Sequence, residues 1–358
     1  MKTCAASVAP PRVGLNVLAP LDTAAAPPET LADHALGPRS IGAVKTLRIS
    51  VTDRCNLRCV YCMPAEGVPW LARQDLLTYE EIIAVARAAL QLGVREFKLT
   101  GGEPLLRRDL PDLAARLRSL PGCHEVSMTT NGLLLAPQAR ALRDAGVHRI
   151  TVSMDTLDAD RFRQITRTGE LAKVWEGIRA AEEAGLGPIK LNVVVMRGVN
   201  LDEVDRFAAL TLRDPRTVRF IEFMPLADSK LLHGDQDSFV PFAEIRARIE
   251  ATHGPLQDAD RDRGSGPARV FRLAGAAGRV GFIHAMSQPF CSTCNRLRLT
   301  PDGQLRSCLF DGGEVDLRPW LRPQPSAAGL CQAFIDCVRL KPLTHSAYGN
   351  RQMSQIGG

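Results

Sequence analysis

No stretch of this sequence approaches the roughly 18–20 uninterrupted apolar residues of a membrane span, so a soluble protein is expected. Met1 to Pro20 lacks the apolar core of a secretory leader, and Cys4 follows no lipobox-like run. Lysine is scarce: it occurs at 2, 45, 98, 173, 190, 230 and 341, which leaves 38 of the 45 basic residues as arginine. That bias fits GC-rich coding first, although arginine also offers a planar fork for phosphate and carboxylate. No Gly-Lys pair occurs anywhere. This excludes the phosphate loop G-x4-G-K-[ST], so any nucleotide has to be held by side chains. A broad basic face is missing as well. The net charge is +6, but acids are interspersed along the chain, and charge alone does not argue for nucleic acid.

What is present in excess is cysteine, with ten in 358 residues. A chain of this length buries about 75% of its unfolded surface and needs no disulfides to hold a core. With no secretory leader in view, metal or redox chemistry in a reducing compartment is the leading reading.

Residues 1–42 are rich in Ala and Pro without a sustained period and read as a disordered extension, with only a weak likeness to a transit peptide. From Leu47 onward strand-like and helix-like segments alternate. Strands are expected at 47–52, 94–100, 126–130, 148–154, 189–196 and 217–223, with helices between and after them. Thr78 and Glu81 form a capping box ahead of an apolar face of Ile82, Ile83, Ala86 and Leu90. Six βα units imply an α/β fold with a parallel sheet, an incomplete (βα)6 barrel over 43–253. After residue 254 the rhythm breaks into turns and short strands, so 254–358 is expected to form a smaller cysteine-bearing region whose last helix is near Leu330–Val338.

The strongest local signal is Cys55-Asn-Leu-Arg-Cys59-Val-Tyr-Cys62, a C-x3-C-x2-C loop directly after the first strand. Three thiolates in one loop can hold three irons of a [4Fe–4S] cluster and leave the fourth open. A structural zinc would want a fourth ligand, and the loop as far as Trp70 supplies none. Gly101-Gly102-Glu103-Pro104 follows the second strand, where paired glycines permit close backbone approach. A second triad, Cys291-x2-Cys294-x13-Cys308, is ambiguous alone: Cys331 or Cys337 could complete a zinc site. Arg296 and Arg298 follow it at alternate positions of a strand and would present two guanidiniums on one face, as an anionic substrate requires.

The cysteine loop with Tyr61, together with the GGEP segment, resembles the radical S-adenosylmethionine (SAM) enzymes. In those, an electron from the cluster cleaves SAM, and the 5′-deoxyadenosyl radical abstracts hydrogen. With the second triad, the match from about Leu47 to the end resembles the radical-SAM GTP 3′,8-cyclases, which act first in molybdenum cofactor biosynthesis. It includes Leu47–Asn56, Leu99–Arg107, Thr129-Thr-Asn-Gly, Phe220-Ile-Glu-Phe-Met-Pro and the terminal Gly357-Gly358. The resemblance implies that Cys55, Cys59 and Cys62 hold the SAM cluster, and that Tyr61, Gly102, Glu103, Asn131, Ser153 and Met224 surround SAM. It implies a second [4Fe–4S] cluster on Cys291, Cys294 and Cys308 with guanine at its open iron. Arg48, Lys98, Thr129, Lys190, Arg296 and Arg298 would contact GTP, and Gly357-Gly358 would enter the active site.

The implied product is 3′,8-cyclo-7,8-dihydro-GTP, formed after hydrogen loss at ribose C3′ and attack on guanine C8. An external electron donor, a downstream cyclic pyranopterin monophosphate synthase and a cytoplasmic location follow from the same resemblance, and homodimerisation is compatible with it. No nucleic acid or membrane partner is expected. Two other readings stay open: a radical-SAM peptide-modifying enzyme with an auxiliary cluster, and a zinc-stabilised nucleic-acid-binding protein.

Overall fold

The computed structural model describes residues 37–225, 238–260, 266–310, 313–345, 351 and 353–357. Most of the expected extension, Cys4 and Gly358 therefore lie outside the described residues. The last residues of that extension are already seated: Arg39 Nε donates to the Lys341 carbonyl at 2.7 Å ahead of a short turn at Ile41–Ala43.

The six expected strands form as β1 (Thr46–Ser50), β2 (Glu96–Thr100), β3 (Glu125–Thr130), β4 (Arg149–Ser153), β5 (Lys190–Val195) and β6 (Thr217–Glu222). They pair in chain order, every neighbour parallel. The helices are α1 (Tyr79–Gln91), α2 (Leu110–Arg118), α3 (Ala139–Asp144), α4 (Ala159–Thr166), α5 (Leu171–Glu183), α6 (Val204–Arg213) and α7 (Phe242–His253). Sequence periodicity misses α4, which is only eight residues long and too short to establish a stripe; its signal is Asp158, whose side chain caps it by accepting from the Arg161 amide. The capping box of α1 forms as read, with Thr78 Oγ1 accepting from Glu81 N and Glu81 Oε2 accepting from Thr78 N. Its apolar face, Ile82, Ile83, Ala86 and Leu90, is buried.

The strands alternate between two environments. Leu47, Ile49, Phe97, Leu99, Val126 and Ile150 are fully buried in the layer between sheet and helices. Their neighbours Arg48, Lys98, Ser127 and Thr151 face the barrel interior, where they line a cavity. The apolar layer holds the barrel together and frees the interior for polar chemistry.

The C-terminal region joins the same sheet rather than forming one of its own. Its strands are β7 (Gln257–Asp258), β8 (Arg269–Arg272), β9 (Arg279–Ile283), β10 (Arg296–Leu299), β11 (Gln304–Arg306) and β12 (Glu314–Asp316). β9 runs parallel beside β6 and β10 parallel beside β1, so the parallel run is β10-β1-β2-β3-β4-β5-β6-β9, with antiparallel strands outside each end. The barrel stays incomplete because this order does not close on itself. Helix α8 (Ala327–Arg339) packs on α1, and a short α9 (Met353–Ile356) carries the chain back into the barrel. Among the described residues, no helix is long and apolar enough to cross a membrane.

Candidate active site

The first cysteine loop leaves the C-terminal end of β1 and is fastened from below by the Gly101-Gly102 turn after β2. A Cβ on Gly102 would lie 2.3 Å from the Arg54 carbonyl oxygen, and one on Gly101 2.7 Å from that of Thr52. Only glycine allows this approach. The turn is tied to the loop's lead-in by Gly102 N to Thr52 O at 2.7 Å and Glu103 N to Arg54 O at 2.8 Å.

Glu103 itself turns inward. Its carboxylate accepts from Leu105 N (3.1 Å), Thr130 Oγ1 (2.7 Å) and Asn131 N (2.7 Å), and the residue is 1% exposed. It serves as a clasp between the β2 and β3 turns. Burial raises its pKa to about 7, against the pull of those three donors. Asn131, so held, donates from Nδ2 to Asn56 Oδ1 at 2.8 Å and approaches Cys55 Sγ at 4.0 Å.

The thiols of Cys55, Cys59 and Cys62 are close enough to influence one another's ionisation. Burial is the main force on each: it pushes Cys55 to about 11, Cys62 to about 12 and Cys59 well above its ordinary value. Free thiols here stay protonated at neutral pH, and bound metal would have to displace the protons. Among the described residues, no group of three His, Cys, Asp or Glu is gathered around a point that a single metal ion could occupy. Three mutually coupled thiols without a fourth protein ligand fit a polynuclear iron–sulfur cluster and not a closed zinc site.

Tyr61, between two of these cysteines, donates its hydroxyl to Asp155 Oδ2 at 2.7 Å, while Val194 N fixes Asp155 Oδ1 at 2.8 Å. Burial lifts Asp155 to about 6. Tyr61, Asp155, Ser153 and Met224 line one part of a cavity of about 290 Å³ in the barrel.

Cys291, Cys294 and Cys308 line the same cavity. Burial pushes the Cys294 thiol up, but Arg296 and Lys341 outweigh it and the net shift is downward. Cys331 and Cys337 are engaged elsewhere: Cys331 Sγ lies 3.3 Å from Gln91 Oε1, and Cys337 Sγ donates to Leu305 O at 3.3 Å. Neither completes a zinc site with the second triad, and this triad too fits a cluster with one iron left open.

The cations line the same cavity. Arg48, Lys98, Lys190, Arg296 and Arg298, all named from sequence, line the cavity with Thr129. Arg149 and Arg219 line it too and were not anticipated. Arg219 was hidden because all of β6 is buried and shows no alternation, yet a cation inside an expected barrel strand is the signal that marked Lys98 and Lys190. Arg149 is paired with Glu125. Burial, then the neighbouring Arg219, Arg48, Arg149 and Lys190, drive Lys98 well below the ordinary lysine range. Burial and Arg296 bring Arg298 to about 9. Cations that depress one another in a dry cavity are relieved by an anion. Thr129 Oγ1 and Asn192 Oδ1, both at the cavity wall, are buried without a hydrogen-bond partner among the described residues, as expected of groups awaiting a polar ligand.

The chain's end reaches the same place. Met353 lines the cavity, and Arg298 Nη1 donates to the Gly357 carbonyl. Gly357 adopts φ +78°, and a Cβ there would sit 2.8 Å from Thr100 Cγ2 and 3.0 Å from Ser50 Cβ. Arg351 anchors the segment through Glu314 at 2.7 Å. Of the residues named from sequence, Tyr61, Ser153, Met224, Thr129, the five cations and the second triad border the cavity, whereas Cys55, Cys59, Cys62, Gly102, Glu103, Asn131 and Gly357 lie outside its lining.

Comparison with known proteins agrees with this architecture. Residues 49–211 match the family model described as Radical SAM superfamily, and 216–347 match Molybdenum Cofactor Synthesis C. The GTP 3′,8-cyclase of Pelotomaculum thermopropionicum is 51% identical over 88% of this chain and 98% of that protein. The GTP 3′,8-cyclase of Moorella thermoacetica is 47% identical with the same coverage. Among solved structures, Streptococcus suis SuiB bound to S-adenosylmethionine superposes with a TM-score of 0.52 at 14% identity, over 79% of this chain and 62% of that chain, a likeness of fold alone. The fold, the paired cysteine triads and these relatives place the chain in the GTP 3′,8-cyclase family of radical SAM enzymes.

Proposed function

We propose that this protein binds GTP and SAM in the barrel cavity and closes a bond between ribose C3′ and guanine C8, giving 3′,8-cyclo-7,8-dihydro-GTP for molybdenum cofactor synthesis. The observation that carries the reading is one cavity bordered by Cys291, Cys294 and Cys308, with the other triad behind its Tyr61 wall and a packed group of cations along its lining. Cys55, Cys59 and Cys62 would hold the SAM cluster, and Cys291, Cys294 and Cys308 a second one. When bound, the first cluster supplies the electron that cleaves SAM and so provides the hydrogen-abstracting radical.

The chain's own residues bind, orient and exclude. Ser153, Met224 and the Tyr61–Asp155 pair would shape the SAM end. Arg48, Lys98, Lys190, Arg219, Arg296 and Arg298 would carry the triphosphate by side chains alone, as the missing phosphate loop demands. Fixing the triphosphate sets the ribose position, and correct placement lowers the barrier without further chemistry from the protein. The seated tail at Gly357 would narrow the cavity and keep water from it. The electron would come from an external donor and the product pass to a cyclic pyranopterin monophosphate synthase; we place the enzyme in the cytoplasm.

Anaerobic turnover of the reconstituted enzyme with SAM, reductant and individual nucleoside triphosphates tests this. GTP is expected to yield 5′-deoxyadenosine and the cyclised product. Formation of neither with GTP would overturn the assignment, and cleavage of SAM only on adding a peptide would redirect it to peptide modification.

A further inference from the structure

We propose that Thr151, which no sequence motif singles out, is the residue that pairs Lys98 with Arg219 and completes the anion site with its own hydroxyl proton. Thr151 lies in the middle of β4 with its side chain at the cavity wall, and the residue is 3% exposed. Lys98 Nζ donates to Thr151 Oγ1 at 3.2 Å, and Arg219 Nη2 donates to the same oxygen at 3.1 Å. A half-buried lysine from β2 and a buried arginine from β6 thus meet on one neutral oxygen carried by a strand between them.

They gain nothing from each other. Arg219 is the foremost charge that disfavours ionisation of Lys98. A shared acceptor sets their spacing against this repulsion, and it does so without neutralising either, as a carboxylate would. Both lone pairs of the hydroxyl are used, so its proton can only be given away. An oxygen of an incoming phosphate is the acceptor that two adjoining cations would draw to that spot. Thr151 then acts as a positioning residue for the cations and as a donor to the anion. Register extends the row: Thr129 and Lys190 are the direct cross-strand neighbours of Thr151 on either side, and both line the cavity.

This inference rests on the reading of GTP as substrate, and the test separates the two. Binding of GTP, inorganic triphosphate and guanosine to the anaerobically reconstituted enzyme is measured by titration calorimetry, for wild type, Thr151→Val and Thr151→Ser. Valine keeps the shape of threonine and removes the hydroxyl; serine keeps the hydroxyl. Thr151→Val is expected to weaken GTP and inorganic triphosphate alike by about tenfold, the scale of a hydrogen bond to a charged group, and to leave guanosine unchanged. Thr151→Ser should bind all three ligands nearly as wild type, with iron and sulfide content the same in each protein. In turnover, the valine variant should raise KM for GTP more than it lowers kcat. Wild-type GTP binding with no loss in Thr151→Val, or a loss shared by guanosine or by the serine variant, would overturn the role given to Thr151. A wild type that binds neither GTP nor triphosphate would overturn the substrate reading, and this inference with it.

Discussion

At the scale of single residues, the carboxylate of Glu103 shows how the site is supported from outside the cavity. Its ordinary pKa of 4.5 is raised to about 7 in the folded protein. Between those values the folded chain keeps a proton that the unfolded chain has lost, so stability is fully present below about pH 4.5 and falls as pH rises to about 7. The rise corresponds to roughly 3 kcal/mol. Glu103→Gln removes the titration. Thermal unfolding of both proteins from pH 4.5 to 8 should show wild type losing ground to the variant up to about pH 7, with a constant gap above it. A gap independent of pH across the range would mean that Glu103 stays ionised. The residue also illustrates the limit of reading sequence. Its motif and its place at a strand end were legible, but the three donors that claim its oxygens come from residues 105, 130 and 131, and no local pattern announces them.

Elements were more legible than contacts, and for a physical reason. A helix face or a strand alternation is written in the spacing of apolar residues, so β1 to β6 and α1 appear within a few positions of where period alone put them. Partnership between distant elements leaves no such trace. Nothing local in Arg279–Ile283 or Arg296–Leu299 says that one strand lies along β6 and the other along β1. The turn after β2 makes the same point in reverse: two glycines in a row were visible, but the backbone they admit, that of Thr52 to Arg54, was not. Gly102→Ala forces that contact apart, since the new carbon would meet main chain and not a mobile side-chain tip. The expected result is a folded protein with nearly native circular dichroism whose first cluster fails to assemble stably. Iron bound at Cys55, Cys59 and Cys62 should fall by more than half after gel filtration. Full iron retention in this variant would show that the two loops can separate without consequence.

For the whole molecule, the two triads are distinct in ligand source, and of the two only Cys291, Cys294 and Cys308 border the cavity. Cys308→Ser should therefore act on one metal centre only. Iron and sulfide are expected to drop from roughly eight to roughly four per chain, with the spectrum of the first cluster and the melting temperature little changed. Loss of all iron would mean that the triads assemble as one unit. Of the ten cysteines, six fall in the two triads proposed to hold clusters, Cys4 lies outside the described residues, and Cys123 and Cys337 are packed in the core. Cys331 packs against that core from its edge.

The sheet's order carries a consequence for how the chain is made. Both rims of the barrel run are finished by strands that follow residue 278, β9 at one side and β10 at the other. A ribosome that has released only the first six strands has produced a sheet with two bare parallel rims, each inviting pairing with a neighbour. The last quarter of the message therefore decides whether the first part survives, and truncation anywhere before Leu299 should send the product to aggregates or proteases rather than leave a smaller working barrel.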